Sequence, residues 1–177
     1  MDIFAELDVM QDRIFADDWS AFANHYASLC STYNAGAASL IRNIDLSPYR
    51  DAISSSFALA LSEAPKQPCA AIYLEYDLDN GWDSTFFICP QYHPLEAKDD
   101  DWACYFEHSI DAASQDDFAS IYAQTDHFCN TNEATAITLY LIARTTEVIN
   151  TVIHDHELPS VHICIGFHDQ DPIHRLR

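Results

Sequence analysis

Apolar residues recur along this chain with two different periods. Between residues 2 and 16, Ile3, Phe4, Leu7, Met10, Ile14 and Phe15 fall at the spacing of one helix face. Asp17 and Asp18 stand where a cap belongs for a second helix, whose face carries Trp19, Phe22, Tyr26, Leu29, Cys30 and Tyr33. Asn34-Ala35-Gly36 reads as its stop. Ser47-Pro48, a cap followed by a first-turn proline, opens a third helix that runs through Ile53, Phe57 and Leu61 to Pro65.

The period then shortens to two. Residues 69–78 and 83–89 flank Asn80-Gly81, the pair that a two-residue hairpin turn prefers. That turn pairs Asp79 with Trp82, Tyr76 with Thr85 and Leu74 with Phe87, and puts Ile72, Leu74, Tyr76, Phe87 and Cys89 on one face. An acidic loop over 90–101 leads to a short aromatic run at 102–106, read as a third strand. A helix follows over 111–124, with Phe118, Ile121 and Tyr122 inward, and then a loop holding His127-x-Cys129. Asn130 and Glu133 resemble a capping box, with Thr131 or Asn132 as alternative caps. Positions 138, 141, 142, 145, 148, 149, 152 and 153 form a stripe wide enough for a buried helix. Leu158-Pro159 breaks it, and 162–167 is a last apolar strand. The pattern predicts an α+β protein in which N-terminal helices precede a small, mainly antiparallel sheet packed against a long C-terminal helix. It is expected to be one domain over residues 1–177, with a helical part at 1–66 and the sheet with its helices at 67–177.

Charge changes this picture more than composition does. Eight basic residues stand against 28 acidic ones, for a net charge of −20. Between residues 67 and 143 the only basic residue is Lys98, against 14 Asp and Glu. Phosphate backbones and anionic bilayers are bound through Lys and Arg, so nucleic acid and membrane surfaces are not expected as partners. A basic protein is, although the same acidity also serves plain solubility. Only Gly36, Gly81 and Gly166 are present, too sparse for a phosphate-cradling loop. The cysteines at 30, 69, 89, 104, 129 and 164 form no C-x-x-C pair and read as reduced, small apolar residues. The start, acidic from Asp2, lacks a secretory n-region, and the expected location is the cytoplasm.

Candidate chemistry is thin. His154, His156, His162 and His168 offer ligand types suited to zinc, which makes a zinc enzyme the alternative function. Two residues apart on a helix, however, His154 and His156 point away from each other, and H-E-x-x-H is absent. The hairpin tip has glycine one position too early for a calcium loop counted from Asp77. No G-x-S-x-G elbow is present. What remains is surface: Asp77, Asp79, Trp82 and Asp83 at the hairpin tip, and Glu96, Asp99, Asp100, Asp101 and Trp102 in the acidic loop. Tryptophans beside carboxylates suit a partner-binding face for a basic protein, although the simpler reading of both tryptophans is as core.

The order of elements adds a family likeness. A helix, then Ile72-Tyr73-Leu74-Glu75-Tyr76 with its Asp-Asn-Gly turn, Asp101-Trp102, a long helix and Val161-His162-Ile163-Cys164-Ile165 resembles small acidic bacterial α+β immunity proteins of polymorphic or contact-dependent toxin systems. The likeness spans about residues 50–170, leaves out the helices before residue 47 and carries no catalytic residue. It implies a non-enzymatic protein, needing no cofactor, that covers the active site or substrate surface of a basic toxin such as a nuclease.

Overall fold

Side-chain caps set where the helices begin. A computed structural model describes residues 1–125 and 131–177; His127, Cys129 and Asn130 lie outside the described residues. Asp2 accepts from the Phe4 and Ala5 amides to start α1 (Ile3–Phe15), and Asp18 accepts from Ala21 N at 3.0 Å to start α2 (Trp19–Tyr33). On α1 the buried stripe is Ile3, Leu7, Met10, Gln11 and Ile14, so Phe4 and Phe15, expected inside, are exposed. Asn34 ends α2 but also caps a further helix, α3 (Ala35–Asn43), by accepting from Ala37 N at 2.8 Å. A stop and a start thus share one residue, and the expected break is a corner. In α4 (Ser47–Glu63) the cap is Leu46; Ser47 already belongs to the helix, and its amide donates to Asp45 Oδ1 at 3.0 Å.

The sheet is mixed, in the order β3-β2-β1-β4-β5. It comprises β1 (Ala71–Tyr76), β2 (Ser84–Cys89), β3 (His108–Asp111), β4 (His162–Phe167) and β5 (His174–Arg175). Three of its pairings are antiparallel, and the central one, β1 with β4, is parallel. Between β3 and β4 the chain passes through α5 (Asp116–Ala123) and α6 (Asn132–His154), on the same face as the N-terminal helices. The result is α+β, with 55% of the described residues helical and 14% in strands: N-terminal helices, a sheet and a long C-terminal helix.

The hairpin differs from expectation by one residue. Tyr76 pairs with Ser84 and Leu74 with Phe86, not with Thr85 and Phe87. Gly81 and Trp82, at φ 71° and 57°, take the left-handed conformation in place of Asn80 and Gly81. A non-glycine residue there costs about 1–2 kcal/mol. Burying a tryptophan, on the order of 150–250 Å² at roughly 25 cal/mol per Å², returns about 4–6 kcal/mol, so burial wins. Trp82 is 0% exposed, stacks on Tyr76 at 5.4 Å, meets Phe118 edge-on and donates its indole N–H to Thr145 Oγ1 at 3.0 Å. The slip exchanges the faces of β2. Phe86 and Ile88 join Ile72, Leu74 and Tyr76, while Phe87 and Cys89 turn to the other side with Tyr73.

The expected strand at 102–106 is not formed. Asp101–Cys104 is a 3₁₀ turn, with Ala103 N donating to Asp100 O at 3.1 Å, and the third strand lies further on at β3. With this turn Trp102 lies on the sheet's second face, where it is 1% exposed and packs beside Tyr73 and Tyr92.

Thr131 caps α6 by accepting from Ala134 N at 3.0 Å. Sixteen of its 23 residues are buried, because the other helices and the sheet surround it. Thr145 and Thr146 keep their hydroxyls satisfied in this dry setting by donating to Leu141 O and Ile142 O, one turn back. By length and composition α6 would pass for a membrane span, yet 78% of its apolar stretch is covered by the protein itself.

Candidate functional site

The sheet's second face is only partly covered. Parallel pairing of β1 with β4 places Tyr73 beside Cys164 and Glu75 beside Gly166 on that face, with Phe87 next to Tyr73 on β2. Residues 90–107 cross one end of it, burying Trp102 and Ala103 against Ala71, Tyr73, Cys89, Cys164 and Ile173. Tyr73 can lie over β4 because residue 166 is glycine: a Cβ there would sit 3.1 Å from the Tyr73 hydroxyl. What stays open is a groove of about 770 Å³. Glu75, Asp99, Asp100, Asp101, Asp169 and Asp171 line it, with Tyr73, Phe87 and Phe106 as its aromatic floor. Phe106, 48% exposed, leans on Phe87 at 4.5 Å between centroids, and its neighbour Tyr105 is 62% exposed.

Some of the expected binding residues are spent on holding this arrangement. Asp100 forms an ion pair with Arg175, which is itself buried, and accepts from Ile173 N at 2.7 Å. The Arg175 guanidinium also donates to His93 O at 3.0 Å and lies over the Tyr92 and Trp102 rings. Buried, this guanidinium is held charged by Asp100. Asp99 contacts His93 Nδ1 at 2.9 Å and accepts from Asp101 N at 3.1 Å. Asp77 accepts from Asp79 N at 3.0 Å within the hairpin turn. Asp79, Asp83, Glu96 and Asp101 remain exposed and without an ion pair among the described residues. Trp82 and Trp102 are interior residues, which corrects their expected place as surface anchors.

Chain order alone does not bring the remaining groove residues together. Glu75, Asp169 and Asp171 join the acidic loop only through the parallel β1–β4 pairing and the tail that follows β4. His168 accompanies them, contacting Glu75 Oε1 at 3.1 Å, and the hydrogen bond to Glu75 raises the imidazole's pKa above its usual value. His168 and Asp169 also line a smaller hollow with Asp77, Leu78 and Asp79, so the hairpin tip and the groove are neighbours. Tyr105 and Phe106, expected in a strand over 102–106, are exposed instead, because that strand does not form.

The four histidines of the zinc alternative are dispersed. His156 contacts Ser54 Oγ at 2.9 Å and sits edge-on to Phe57, while His154 is exposed at the end of α6. His162 stacks on Tyr92 at 3.7 Å, and His168 serves Glu75. Among the described residues no three His, Cys, Asp or Glu side chains lie together in a way that would hold a metal ion. Cys30, Cys69, Cys89, Cys104 and Cys164 are free thiols, and burial raises the pKa of Cys30 to about 11 and those of Cys89 and Cys164 to about 12, away from nucleophilic use. Cys104, expected in an apolar strand, is exposed.

Comparison with protein-family models, curated proteins and solved structures returned no match, so the site's own geometry has to carry the functional reading.

Proposed function

We propose that this chain is a non-enzymatic binding protein that acts in the cytoplasm by covering the cationic surface of a basic partner protein. An immunity protein blocking a toxin domain would work in this way. The observation that carries the proposal is the groove on the sheet's second face, where Asp101 and Asp171, without ion pairs among the described residues, stand with exposed Phe106. Lys and Arg side chains of a partner would meet Asp101, Asp169 and Asp171, and their aliphatic stems would lie on the aromatic floor. The net charge of −20 would steer such a partner from a distance.

The test is association kinetics with the product of the neighbouring gene as first candidate. A steered complex loses association rate by about tenfold or more between low and physiological salt. The triple variant Asp101→Lys, Asp169→Lys, Asp171→Lys should slow association and leave the fold intact. Asp100 is kept out of this variant because its loss would break the pair with Arg175 and confuse unfolding with lost binding. Association that ignores both salt and the triple variant would sink the proposal.

A further inference from the structure

On the far side of the molecule from the acidic groove, the helices enclose a cleft of opposite character. It has a volume of about 490 Å³ and lies between α2, α4, α6 and the α3–α4 connection. Arg42, Arg50 and Arg144 all line it, three of only eight basic residues in the chain. Three guanidiniums brought to one cleft repel each other, and nothing in the packing of a buried core requires them there. Arg42 has no ion-pair partner among the described residues. Arg50 pairs with the exposed Asp51 at 3.0 Å, and Arg144 forms a longer ion pair with Glu147 at 3.7 Å. Arg144 is also steadied by the backbone, donating to Arg42 O at 3.4 Å.

Two carboxylates line the cleft against the three guanidiniums. Asp45 accepts from the Ser47 amide at 3.0 Å, which lowers its pKa, whereas burial raises the pKa of Glu147. Leu46, Ser47 and Arg50, the first turn of α4, put the positive end of a 17-residue helix at the same opening. Tyr140, 3% exposed, lines the cleft as well, and its hydroxyl sits at the solvent-reached end of the ring, where it is free to exchange water for an acceptor.

We propose that this cleft is a binding site for a small oxyanion, a compound bearing phosphate or carboxylate groups. Arg42, Arg50 and Arg144 hold the anion, and the Tyr140 hydroxyl donates to it. Guanidinium forks match both oxyanion types with paired hydrogen bonds. The surrounding negative charge restricts the ligand to a small one. Screening cuts fields off within about 8 Å at physiological salt, so the cleft's own charges govern what sits inside it. A nucleic acid would have to lay its remaining phosphates on the acidic surface outside.

Thermal unfolding of the whole chain at fixed ionic strength, held with sodium chloride, tests this. Inorganic phosphate, pyrophosphate and citrate are titrated separately. At least one should raise the melting temperature saturably, and the ranking of the two phosphates against citrate identifies the oxyanion class. The variant Arg42→Gln/Arg50→Gln alters exposed or half-exposed side chains, so it should keep the wild-type melting temperature without anion while binding at least tenfold more weakly. Tyr140→Phe should weaken binding severalfold, a readout that packing alone would not give. No saturable shift with any of the three anions, or shifts unchanged in Arg42→Gln/Arg50→Gln, would overturn the proposal.

Discussion

On one face of the sheet Ile72, Leu74, Tyr76, Ile163 and Ile165 meet helices; on the other Ala71, Tyr73, Cys89 and Cys164 meet a loop and the chain's tail. The first face is held by area. Its side chains recur with regular period, and no single contact decides the packing. The second face is held by pins: Arg175 on Asp100, Asp100 on the Ile173 amide, and Gln170 Oε1 accepting from Phe167 N at 3.0 Å. A pinned face leaves room for an open groove, because it does not need every square ångström of cover. The two residues of β5 show the contrast side by side. His174 turns to the helices and donates from Nε2 to Leu7 O at 3.1 Å, while Arg175 turns to the loop. Gln11 closes the edge between them, donating to Arg175 O at 3.0 Å and accepting from Arg175 N at 2.7 Å.

The largest effect should come from the helix-covered face. Trp82→Ala should destabilise by about 4 kcal/mol in urea unfolding, from lost burial and the cavity left behind. Trp82→Phe should still be destabilising, because it abandons the bond to Thr145. Trp102→Phe on the second face should cost less, since the Trp102 indole N–H has no partner among the described residues. Equal losses for the two Trp→Phe changes would erase the distinction between the faces.

How much of this was legible in the sequence follows the same division. The periodic stripes of α1, α2, α4 and α6 predicted themselves, because a face held by area must carry a regular apolar pattern. The second face did not. Trp102 was read as strand because aromatic runs favour strands, whereas a tertiary contact with Tyr73, Tyr92 and Arg175 draws it into a turn. The hairpin register failed for a related reason: the preference of Asn80-Gly81 for a tight turn is small beside the burial of Trp82. Asp100 looked like any surface carboxylate, since its partner lies 75 residues away in a two-residue strand with no periodicity to show. Of the groove, the acidic loop was visible; Glu75, Asp169 and Asp171 needed the parallel β1–β4 register.

Next in size is the pin itself. Arg175→Met leaves Asp100 half-buried and unpaired, and should cost about 3 kcal/mol. The loss should be local first. Amide exchange should speed up at Ile173 and across residues 90–107 while α6 stays protected. Uniform acceleration over both faces would mean that the pin supports the whole domain.

Acid should probe the other side of β5. Burial lowers the pKa of His174 to about 4, against the ordinary 6.5 that applies when unfolded. The unfolded chain therefore takes up the proton first as pH falls. The stability tied to neutral His174 is complete above pH 6.5, drains away as pH falls toward 4, and levels off below. At about 1.4 kcal/mol per unit of pKa difference, the total is about 3 kcal/mol. His174→Gln, whose amide can also donate to Leu7 O, should flatten that stretch of the stability–pH curve. An unchanged slope would assign the acid sensitivity to other groups.

The smallest stability change is the most telling for function. Asp101 and Asp171 line the groove without serving as pins, so Asp101→Lys/Asp171→Lys should shift stability by no more than about 0.5 kcal/mol. The same double change replaces two negative charges with two positive ones where a cationic partner would land. If the second face is loosely covered because it is used, this variant should unfold like the wild type and associate with a basic partner more slowly. If the groove is merely what a pinned face leaves behind, association should be as fast as before. Stability and binding would then part company at residues where the wild-type structure gains nothing from the charge.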